Sequence, residues 1–520
     1  MKFQKLSSLI ALAAFALVFI HANLAAQDDA VNAKKPKHHH YKLVDMGTFG
    51  GPASYFPETI AFINAKGDLN SRGLAAGGSS TSTSTTGTSN TGICGGLSGL
   101  VPFVYHAFDW QNGTVRDLGS LGGADYCSVS GGINAKGEIV GGSENGEIDP
   151  FTGFNKSRAV LWEAGSIQDL GTLGGYEGTA AGINDRGQVV GIATNAIPDP
   201  IACFGLGAQC RAFLWQDGVM QDLGTLGGPD AFAILINEHG QVAGSSYTNS
   251  VPVTDPFLWE KGKGMQDLGT LGGTTGFPLA LNNRGQVVGF SNVAGDLTGH
   301  PFLWPGKDGT MMDLGTLGGN YGIANAINES GEVVGYSGIS VNQPELEFAF
   351  LWRNGAITNL GSLGSDPCST ANAINSRGQV VGISATCDYL TFRRAFLWEN
   401  GSMVDLNTLI SPGSGMQLTL AETINDRGEI AVNGTPSGCG VVEDCGHAVL
   451  LIPCDDDHPG VEGCDYSMVE AAEVSGATLA TRAPQSTQLS KDAIGRMMSA
   501  SRNPFLRRWR MPVQRPFTRN

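Results

Sequence analysis

Short apolar segments alternate with glycine-containing turns along most of the chain, and four such segments recur in a fixed order. From Ala324 onward they read "ANAIN", "VVGYS", "FAFLW" and "AITNLG". An Asn-x-x-Gly turn joins the first pair, as in "INDRG" (Ile183–Gly187), and a turn such as "WQDG" (Trp215–Gly218) joins the second pair. Both spacings predict type I turns, in which asparagine caps the turn and glycine accepts a positive φ. The repeated unit is therefore predicted to be four antiparallel strands.

The unit recurs often enough to predict a closed repeat fold. Successive tryptophans at the end of the third segment are 44 to 53 residues apart, and four strands in roughly 40 to 50 residues are typical of a propeller blade. Asparagine opens the first turn in eight units, and tryptophan ends the third segment in seven: Asn70, Asn134, Asn184, Asn237, Asn282, Asn328, Asn375 and Asn425; Trp110, Trp162, Trp215, Trp259, Trp304, Trp352 and Trp398.

The two ends of the repeat region complement each other. "YKLVDMG" (Tyr41–Gly47) reads as a fourth strand with no unit before it, and "HAVLLIP" (His447–Pro453) reads as a third strand with no fourth strand after it. Pairing them completes a last blade and removes an exposed strand edge. We therefore predict an all-β fold, an eight-bladed β-propeller closed by the N-terminal strand. A β-solenoid is the alternative, but a solenoid gains nothing from complementary ends.

The string "DLGTLGG" begins unchanged at four aspartates and occurs in four degraded copies, such as "NLGSLGS" from Asn359 and "DLNTLIS" from Asp405. The four unchanged copies begin at Asp169, Asp222, Asp267 and Asp313. We interpret it as the corner that leads from the outer strand of one blade to the inner strand of the next. The glycines permit a sharp change of direction, the leucine packs between blades, and the aspartate accepts hydrogen bonds from loop amides. A structural role is favoured over ligand binding, because a ring needs eight corners.

The loops that vary most should share one face with these corners. They are residues 80–105, 144–157, 194–210 and 435–446. Cysteines lie in or beside these loops, and they predict the sequential pairs Cys94–Cys127, Cys203–Cys210, Cys368–Cys387 and Cys439–Cys445. A fifth pair, Cys454–Cys464, would close the acidic segment 454–465. Disulfides stiffen loops that lack a core and suit a binding surface, although they would also protect long loops from proteolysis.

The N-terminal segment and the charge distribution indicate export. Residues 1–26 have two lysines, the apolar run Leu6–Ile20 and a small-residue cleavage point, which predict a signal peptide rather than a membrane anchor. We expect a secreted protein, extracellular or periplasmic, with a flexible linker at 27–40 and no membrane-spanning segment after cleavage. Residues 27–465 have 21 basic and 45 acidic residues, a formal charge of −24, which disfavours a nucleic-acid partner. The tail 466–520 has a charge of +6 and is predicted to be disordered.

The sequence offers little catalytic chemistry. The motifs G-x-S-x-G, H-E-x-x-H and the phosphate-binding loop are absent from the sequence. His106, His300 and His447 take the place that Arg158, Arg211 and Arg394 take in other units, so we interpret this position as a strand-end cap. The inner strands read as small and apolar except for Glu422, and a single carboxylate does not make an acid/base pair.

The acidic stretch "CDDDHPGVEGCD" (Cys454–Asp465) could ligate calcium through Asp455, Asp456 and Asp457, with Glu462 and Asp465 nearby. Its spacing fits no calcium loop, so a solvated disulfide loop is favoured and no cofactor is expected. "HHH" (His38–His40) could bind a transition metal, but we interpret it as part of the flexible linker.

The unit "AFLW…DLGTLGG…AIN..G.VVG" closely resembles the bacterial extracellular repeats of the HAF family. The resemblance covers residues 41–453, and "HAF" itself is complete only at His106. It implies an exported bacterial repeat protein and no catalytic residues. We expect a non-catalytic scaffold that binds an extracellular glycan or a surface protein through one loop face. The alternatives are a glycan lyase or hydrolase with its site in the central channel, and a structural component of the envelope.

Overall fold

A computed structural model describes residues 37–57, 68–84, 103–111, 113–199, 206–249, 253–307, 309–389, 393–440 and 442–470. The predicted signal peptide 1–26, residues 27–36 of the predicted linker and residues 471–520 of the tail lie outside this part of the chain. Most of the insertion 80–105 and residues 200–205 of the loop 194–210 also lie outside it. The fold is therefore described from the repeat region and the segments that flank it.

The described chain forms short strands that pair into four-stranded antiparallel blades, with the first strand of each blade innermost. Blades one to four consist of β3 (Gly50–Tyr55), β4 (Ala75–Ser84), β5 (Phe103–Gln111), β6 (Thr114–Asp117); β7 (Ser128–Ile133), β8 (Ile139–Ile148), β9 (Asn155–Glu163), β10 (Ser166–Asp169); β11 (Gly174–Ile183), β12 (Val189–Pro198), β13 (Ala208–Gln216), β14 (Val219–Asp222); and β15 (Gly227–Ile236), β16 (Val242–Thr248), β17 (Thr254–Glu260), β18 (Gly264–Asp267).

Blades five to seven repeat this order, and a single parallel bridge between Thr254 and Thr275 joins blades four and five. Their strands are β19 (Gly272–Leu281), β20 (Val287–Val293), β21 (Gly299–Trp304), β22 (Met312–Asp313); β23 (Gly322–Ile327), β24 (Val333–Gly338), β25 (Glu347–Arg353), β26 (Ala356–Gly361); and β27 (Cys368–Ile374), β28 (Val380–Ala385), β29 (Arg393–Glu399), β30 (Ser402–Asp405). A 3₁₀ helix, Leu406–Thr408, follows β30.

The eighth blade closes the ring with the N-terminal strand. Its order is β31 (Met416–Ile424), β32 (Ile430–Pro436), β33 (His447–Pro453) and β2 (Tyr41–Asp45), and a short helix, Val442–Cys445, precedes β33. Tyr41 pairs with Pro453 and Asp45 with Val449, so the first strand of the repeat region supplies the missing outer strand. The predicted eight-bladed propeller and its mode of closure are therefore confirmed.

The core is a ring of apolar clusters between blades rather than a single centre. Between blades three and four, for example, Val190 and Leu214 pack with Ala233 and Phe257. The cluster between blades eight and one joins Leu450 to Phe108 and completes the circle. Blade strands bury both faces, which explains why "AFLW" is apolar at every position.

The hairpin turns between the third and fourth strands differ from the prediction. At "WQDG" both central residues have positive φ, 51° at Asp217 and 83° at Gly218, and the flanking Gln216 and Val219 are paired. This is a type I′ turn, and the predicted type I turn was wrong here. Type I′ turns match the right-handed twist of the two strands that they join. The Asn-x-x-Gly turns do close as predicted, with the Gly187 amide bonded to the Asn184 carbonyl.

The "DLGTLGG" corners are closed by their own residues. In the copy from Asp169, the aspartate accepts the Gly171 amide at 2.8 Å and the Thr172 hydroxyl donates to the Gly175 carbonyl at 2.9 Å. The last glycine of the string is required by close packing. In the copy from Asp267 this residue is Gly273, and a Cβ there would lie 2.6 Å from that of Asn292. Leu173 packs into the cluster between blades two and three. These contacts are those expected of a structural corner.

The predicted flexible linker 27–40 is wrong at its C-terminal end. β1 (Lys37–His39) pairs with β34 (Met468–Glu470), and His38 is fully buried, with its Nδ1 2.8 Å from a carboxylate oxygen of Glu399. Burial of His38 and its contact with Glu399 stabilise this segment as a strand. The composition of the segment alone does not reveal these contacts. The segment 454–470 therefore lies against blades seven and eight instead of extending into solvent.

Candidate functional site

The ring has two faces with different constructions. The face that carries the tight turns, which join the first strand to the second and the third strand to the fourth in each blade, is here called the turn face. The opposite face carries the corners between blades and the loops between second and third strands, and is called the loop face.

The turn face is joined into a closed circle by eight asparagine side chains. Each Nδ2 donates to the backbone carbonyl of the corresponding asparagine in the next blade, at 2.7 to 3.1 Å: Asn70 to Asn134, Asn134 to Asn184, Asn184 to Asn237, Asn237 to Asn282, Asn282 to Asn328, Asn328 to Asn375, Asn375 to Asn425, and Asn425 to Asn70. The last bond joins residues at the two ends of the repeat region. The sequence analysis found these asparagines but assigned them only to local turns.

Seven of these asparagines use both amide protons and the Oδ1 oxygen inside the protein, whereas Asn70 has Leu74 in place of the glutamine or glutamate that accepts the second proton. The Oδ1 of Asn282 accepts the amides of Arg284 and Gln286, and its Nδ2 also donates to the Gln286 side chain at 2.8 Å. All eight are at most 7 % exposed. Because the buried polar groups of these seven side chains are satisfied inside the protein, this circle holds blades together and does not form a site.

The rim of the loop face carries a second repeated contact. The residue before "AF" or its equivalent pairs with the aspartate of the corner, for example Arg211 with Asp222 at 3.0 Å and His447 with Asp45 at 2.8 Å. Burial acts to raise the pKa of Asp45, but hydrogen bonds from His447 and the Gly47 amide outweigh it and hold the pKa below its usual value. His106 and His300 make the same contact. The interpretation of this position as a structural cap agrees with these contacts.

Two blades depart from this pattern. Blade six has Phe348 and Asn359 in place of the cation and the carboxylate, so both charges are missing together. Blade four keeps the carboxylate, Asp267, but has Asp255 where the cation belongs. Burial and the neighbouring Asp267 raise the pKa of Asp255 to about 6. Like charges that face each other favour the protonated form of one of them.

Disulfides gather on the loop face. The predicted pairs Cys368–Cys387 and Cys439–Cys445 are present. Cys127 and Cys210 are also disulfide-bonded, and their predicted partners Cys94 and Cys203 lie outside the described residues. The pair Cys454–Cys464 is present as well, but it lies below the end of β33 on the turn face. The loop face is thus covalently stiffened where it lacks a core.

In blades two and three the hairpins between the second and third strands are long and extend away from the rest of the loop face. β8 and β12 have 10 residues each, whereas β24 and β28 have 6. The two raised hairpins carry exposed apolar side chains, including Phe151 at 57 % and Ile197 at 54 % exposure. The ring centroids of Phe151 and Tyr176 are 5.8 Å apart. Phe151 also lies close to Gly207 of the next hairpin, where an added Cβ would be 2.8 Å from the Cβ of Phe151. Exposed apolar side chains therefore lie on both hairpins, over blades two and three, and Phe151 lies against Gly207 of the second hairpin.

A buried carboxyl with tyrosine partners lies between blades six and seven. Glu347 is 8 % exposed, and it accepts one hydrogen bond of 2.7 Å from Tyr321 and another of 2.7 Å from Tyr389. Burial raises its pKa although these two bonds act to lower it. Both carboxyl oxygens are engaged inside the protein. The sequence analysis missed this cluster, because its three members come from a corner, a third strand and a disulfide loop.

The inner strands hold more acid than the sequence analysis stated. Besides Glu422, they include Glu177 and Asp230. Their carboxylates accept backbone amides of the preceding blade, Ser157 for Glu177 and Cys210 for Asp230, both at 2.8 Å. They therefore cap third strands across the blade interface, and the prediction that Glu422 was the single exception was wrong.

The acidic segment 454–465 is held by internal contacts. Asp455 accepts from His458 at 2.7 Å, and Asp457 pairs with Arg377 at 2.9 Å. Over the residues that the structure describes, no group of three or more His, Cys, Asp or Glu side chains could hold a metal ion. No helix of the described segments is long and apolar enough to cross a membrane.

Comparisons with known proteins concern the fold alone. No family model matches the chain, and no curated protein matches it. Among solved structures it is similar to a puromycin-hydrolyzing peptidase of Mycobacterium tuberculosis, with 14% identity, a TM-score of 0.39 and coverage of 76% of this chain and 62% of the peptidase. It is also similar to the β-propeller domain of the Trilobed protease from Pyrococcus furiosus, with 10% identity, a TM-score of 0.38 and coverage of 69% and 96%. The Dos1 propeller has 11% identity, a TM-score of 0.37 and coverage of 79% and 95%.

Proposed function

We propose that this protein is an exported, non-catalytic scaffold that binds an extracellular glycan or a surface protein through its loop face. The observation that carries the proposal is the difference between the faces. The turn face satisfies its asparagine side chains in a closed circle, whereas the loop face carries the disulfides Cys368–Cys387 and Cys439–Cys445 and long hairpins that expose Phe151 and Ile197. Exposed apolar areas on a stiff framework are typical of interaction surfaces.

Export is part of the proposal. Three disulfides fit an oxidising compartment, and the signal peptide predicted at 1–26 would direct the chain there. The resemblance to HAF repeats points to the same location outside the bacterial cytoplasm.

The test is a pull-down of residues 27–520 on insoluble polysaccharides and cell-wall material, with and without reductant. Retention that is lost on reduction, and that is weakened by Phe151→Ser but not by the matched turn-face change Val219→Ser, is the expected result. Val219 is the control because it is 67 % exposed on the opposite face. Equal loss with both variants, or release of soluble sugar, would contradict the proposal, and the second outcome would favour the enzyme. Retention of neither the parent protein nor its variants would favour a protein partner or a structural role in the envelope over a glycan ligand.

A further inference from the structure

One corner of the ring does not follow the repeated design. Between blades seven and eight the string reads "DLNTLIS", so Ile410 and Ser411 stand where six corners have a glycine pair and the corner from Asn359 has Gly364 and Ser365. This is the corner that has lost both glycines, and in the unchanged copy from Asp267 a Cβ at the second position would lie 2.6 Å from that of Asn292. Residues 411–415 form an additional turn before β31 begins, in which the Ser414 amide donates to the Ser411 carbonyl at 3.2 Å. This longer corner is here called the open corner.

The open corner leaves a cavity of about 570 Å³ on the loop face. It lies between residues 410–417 of the corner and residues 435–439 of the eighth blade, and Cys439 of the Cys439–Cys445 disulfide is part of its lining. The Ser437 amide donates to the Gly415 carbonyl at 2.8 Å and holds the two loops together. This volume lies within the range of small-ligand sites, roughly 300 to 1,000 Å³.

The charged side chains at the cavity pair with each other. At its base Arg394 pairs with Asp366 at 2.8 Å and with Asp405 at 3.4 Å. The other Asp405 oxygen accepts the Asn407 amide at 2.9 Å. Because the guanidinium already has two carboxylates, it does not attract an anion. One guanidinium and two carboxylates leave this cluster with a net charge of −1. Anionic ligands are therefore disfavoured.

The remaining lining suits a ring that carries hydroxyl groups. Hydroxyl and amide side chains come from Ser411, Ser414, Thr435, Ser437 and Gln417, and apolar contact is provided by Ile410, Met416 and Pro436. Neutral donors and acceptors interspersed with small apolar surfaces match the alternating hydroxyl groups and C–H faces of a sugar.

We propose that this cavity binds an uncharged saccharide unit of a glycan. The inference rests on the proposed scaffold function and adds the ligand class and its place on the loop face. It also separates this cavity from the apolar side chains over blades two and three, which lie on a different part of the ring.

The test uses residues 27–520 and measures binding of cellotetraose, N-acetylated chitotetraose and xylotetraose by titration calorimetry, with tetragalacturonate as the anionic comparison. At least one neutral tetrasaccharide is expected to bind, and tetragalacturonate is not. Gln417→Trp, which fills the cavity from an exposed lining position, is expected to weaken binding by about tenfold or more. The control Gln343→Trp introduces the same side chain at an exposed loop-face glutamine of blade six and should change affinity by less than about twofold. Ser414→Trp provides a second blocking variant should Gln417→Trp alter the melting temperature.

Equal binding by the blocked variants and the parent protein would overturn the cavity proposal. So would tighter binding of tetragalacturonate than of the neutral sugars. If no tetrasaccharide binds but the scaffold pull-down is positive and sensitive to Phe151→Ser, the cavity proposal is wrong and the scaffold proposal stands. If both experiments are negative, glycan binding by the loop face is overturned altogether, and the scaffold proposal is reduced to a surface-protein ligand.

Discussion

The turn face and the loop face of this propeller are built from the same eight units, yet only the turn face repeats one contact in all eight blades. On the turn face the same asparagine makes the same bond in every blade, and the donors form a closed circle. On the loop face the corners, hairpin lengths and disulfides differ from blade to blade. The spacing between blades has to be fixed on only one of the two faces of the ring. Once the turn face fixes that spacing, the loop face is free to vary without opening the ring.

The comparison is most severely tested by removing one member of the asparagine circle. Asn282→Ala leaves the Asn328 carbonyl, the Gln286 side chain and two amides without their buried partners, so we expect a loss of about 3 to 4 kcal/mol in unfolding free energy. Urea unfolding measures it. The neighbouring Asn283→Ala removes an exposed side chain that accepts a single amide, and it should cost about 1 kcal/mol or less. Equal costs for the two variants would mean that the circle does not hold the ring.

The loop-face disulfide Cys439–Cys445 should matter less to the ring. Replacing both cysteines by serine is expected to lower the unfolding free energy by about 2 kcal/mol or less, because it frees only a short local loop. Cleavage by a protease within residues 436–446 should become faster, whereas the remaining blades stay protected. Mass spectrometry of limited digests provides the measurement. Fragmentation of the whole chain at the same rate would show that this loop face is needed for ring stability.

The carboxyl pair of blade four offers a pH-dependent test of the rim. Because the pKa of Asp255 is raised to about 6, the folded protein holds this proton more tightly than the unfolded chain does. Its contribution therefore favours folding below about pH 4 and is lost as the pH rises through about 6. Asp255→Arg, which copies Arg211 of blade three, should stabilise the protein by about 1 kcal/mol at pH 7.5 and by less near pH 4.

Thermal unfolding at both pH values measures this gain. Asp255→Asn serves as the control, since it removes the repulsion without adding a pair, and it should give part of the stabilisation at pH 7.5. An Asp255→Arg variant that is less stable than the parent at pH 7.5 would contradict the assignment of this position as a cation cap.

The smallest effect is expected in the raised hairpins. Ile197 is 54 % exposed, and Ile197→Ser should change the unfolding free energy by less than about 0.5 kcal/mol. The same urea titration measures it. A loss as large as that from Asn282→Ala would mean that the raised hairpins contribute to the ring, and the two faces would then not be separable.

Much of the fold could be predicted because each element is short and carries its own signal. "IN..G" predicts a turn, "AFLW" predicts a strand buried on both faces, and the unpaired segments Tyr41–Gly47 and His447–Pro453 predict closure. The sign of φ at Asp217 could not be predicted from spacing alone, because it depends on strand twist. The strand Lys37–His39 could not be predicted either, since neither it nor its partner Met468–Glu470 carries the repeat pattern that revealed the other strands.

The candidate sites were less accessible to sequence reasoning. The bond from Asn282 to the Asn328 carbonyl joins two turns that look locally complete, so nothing in either turn indicates a partner. Glu347, Tyr321 and Tyr389 meet only when blades six and seven pack. The open corner at Ile410 and Ser411 did leave a signal, since the string "DLNTLIS" has lost both glycines. The open corner could have been identified by asking, for each degraded copy, whether the residues that replace glycine fit the close packing of the unchanged copies.

Closure by β2 has a consequence for the order in which the chain folds. The blades from β3 to β30 pair strands that are close in sequence, and each can form soon after its residues are synthesised. β2 is made before any of these blades, but its partner is made last, and Asp45 and His447 are 402 positions apart. Contacts of this separation are slow to form, because the intervening chain must be confined first. β2 must therefore wait unpaired, and during that interval the open edge of β33 is exposed to other chains. Closure of the ring therefore depends on β2, the strand of the ring that is synthesised first.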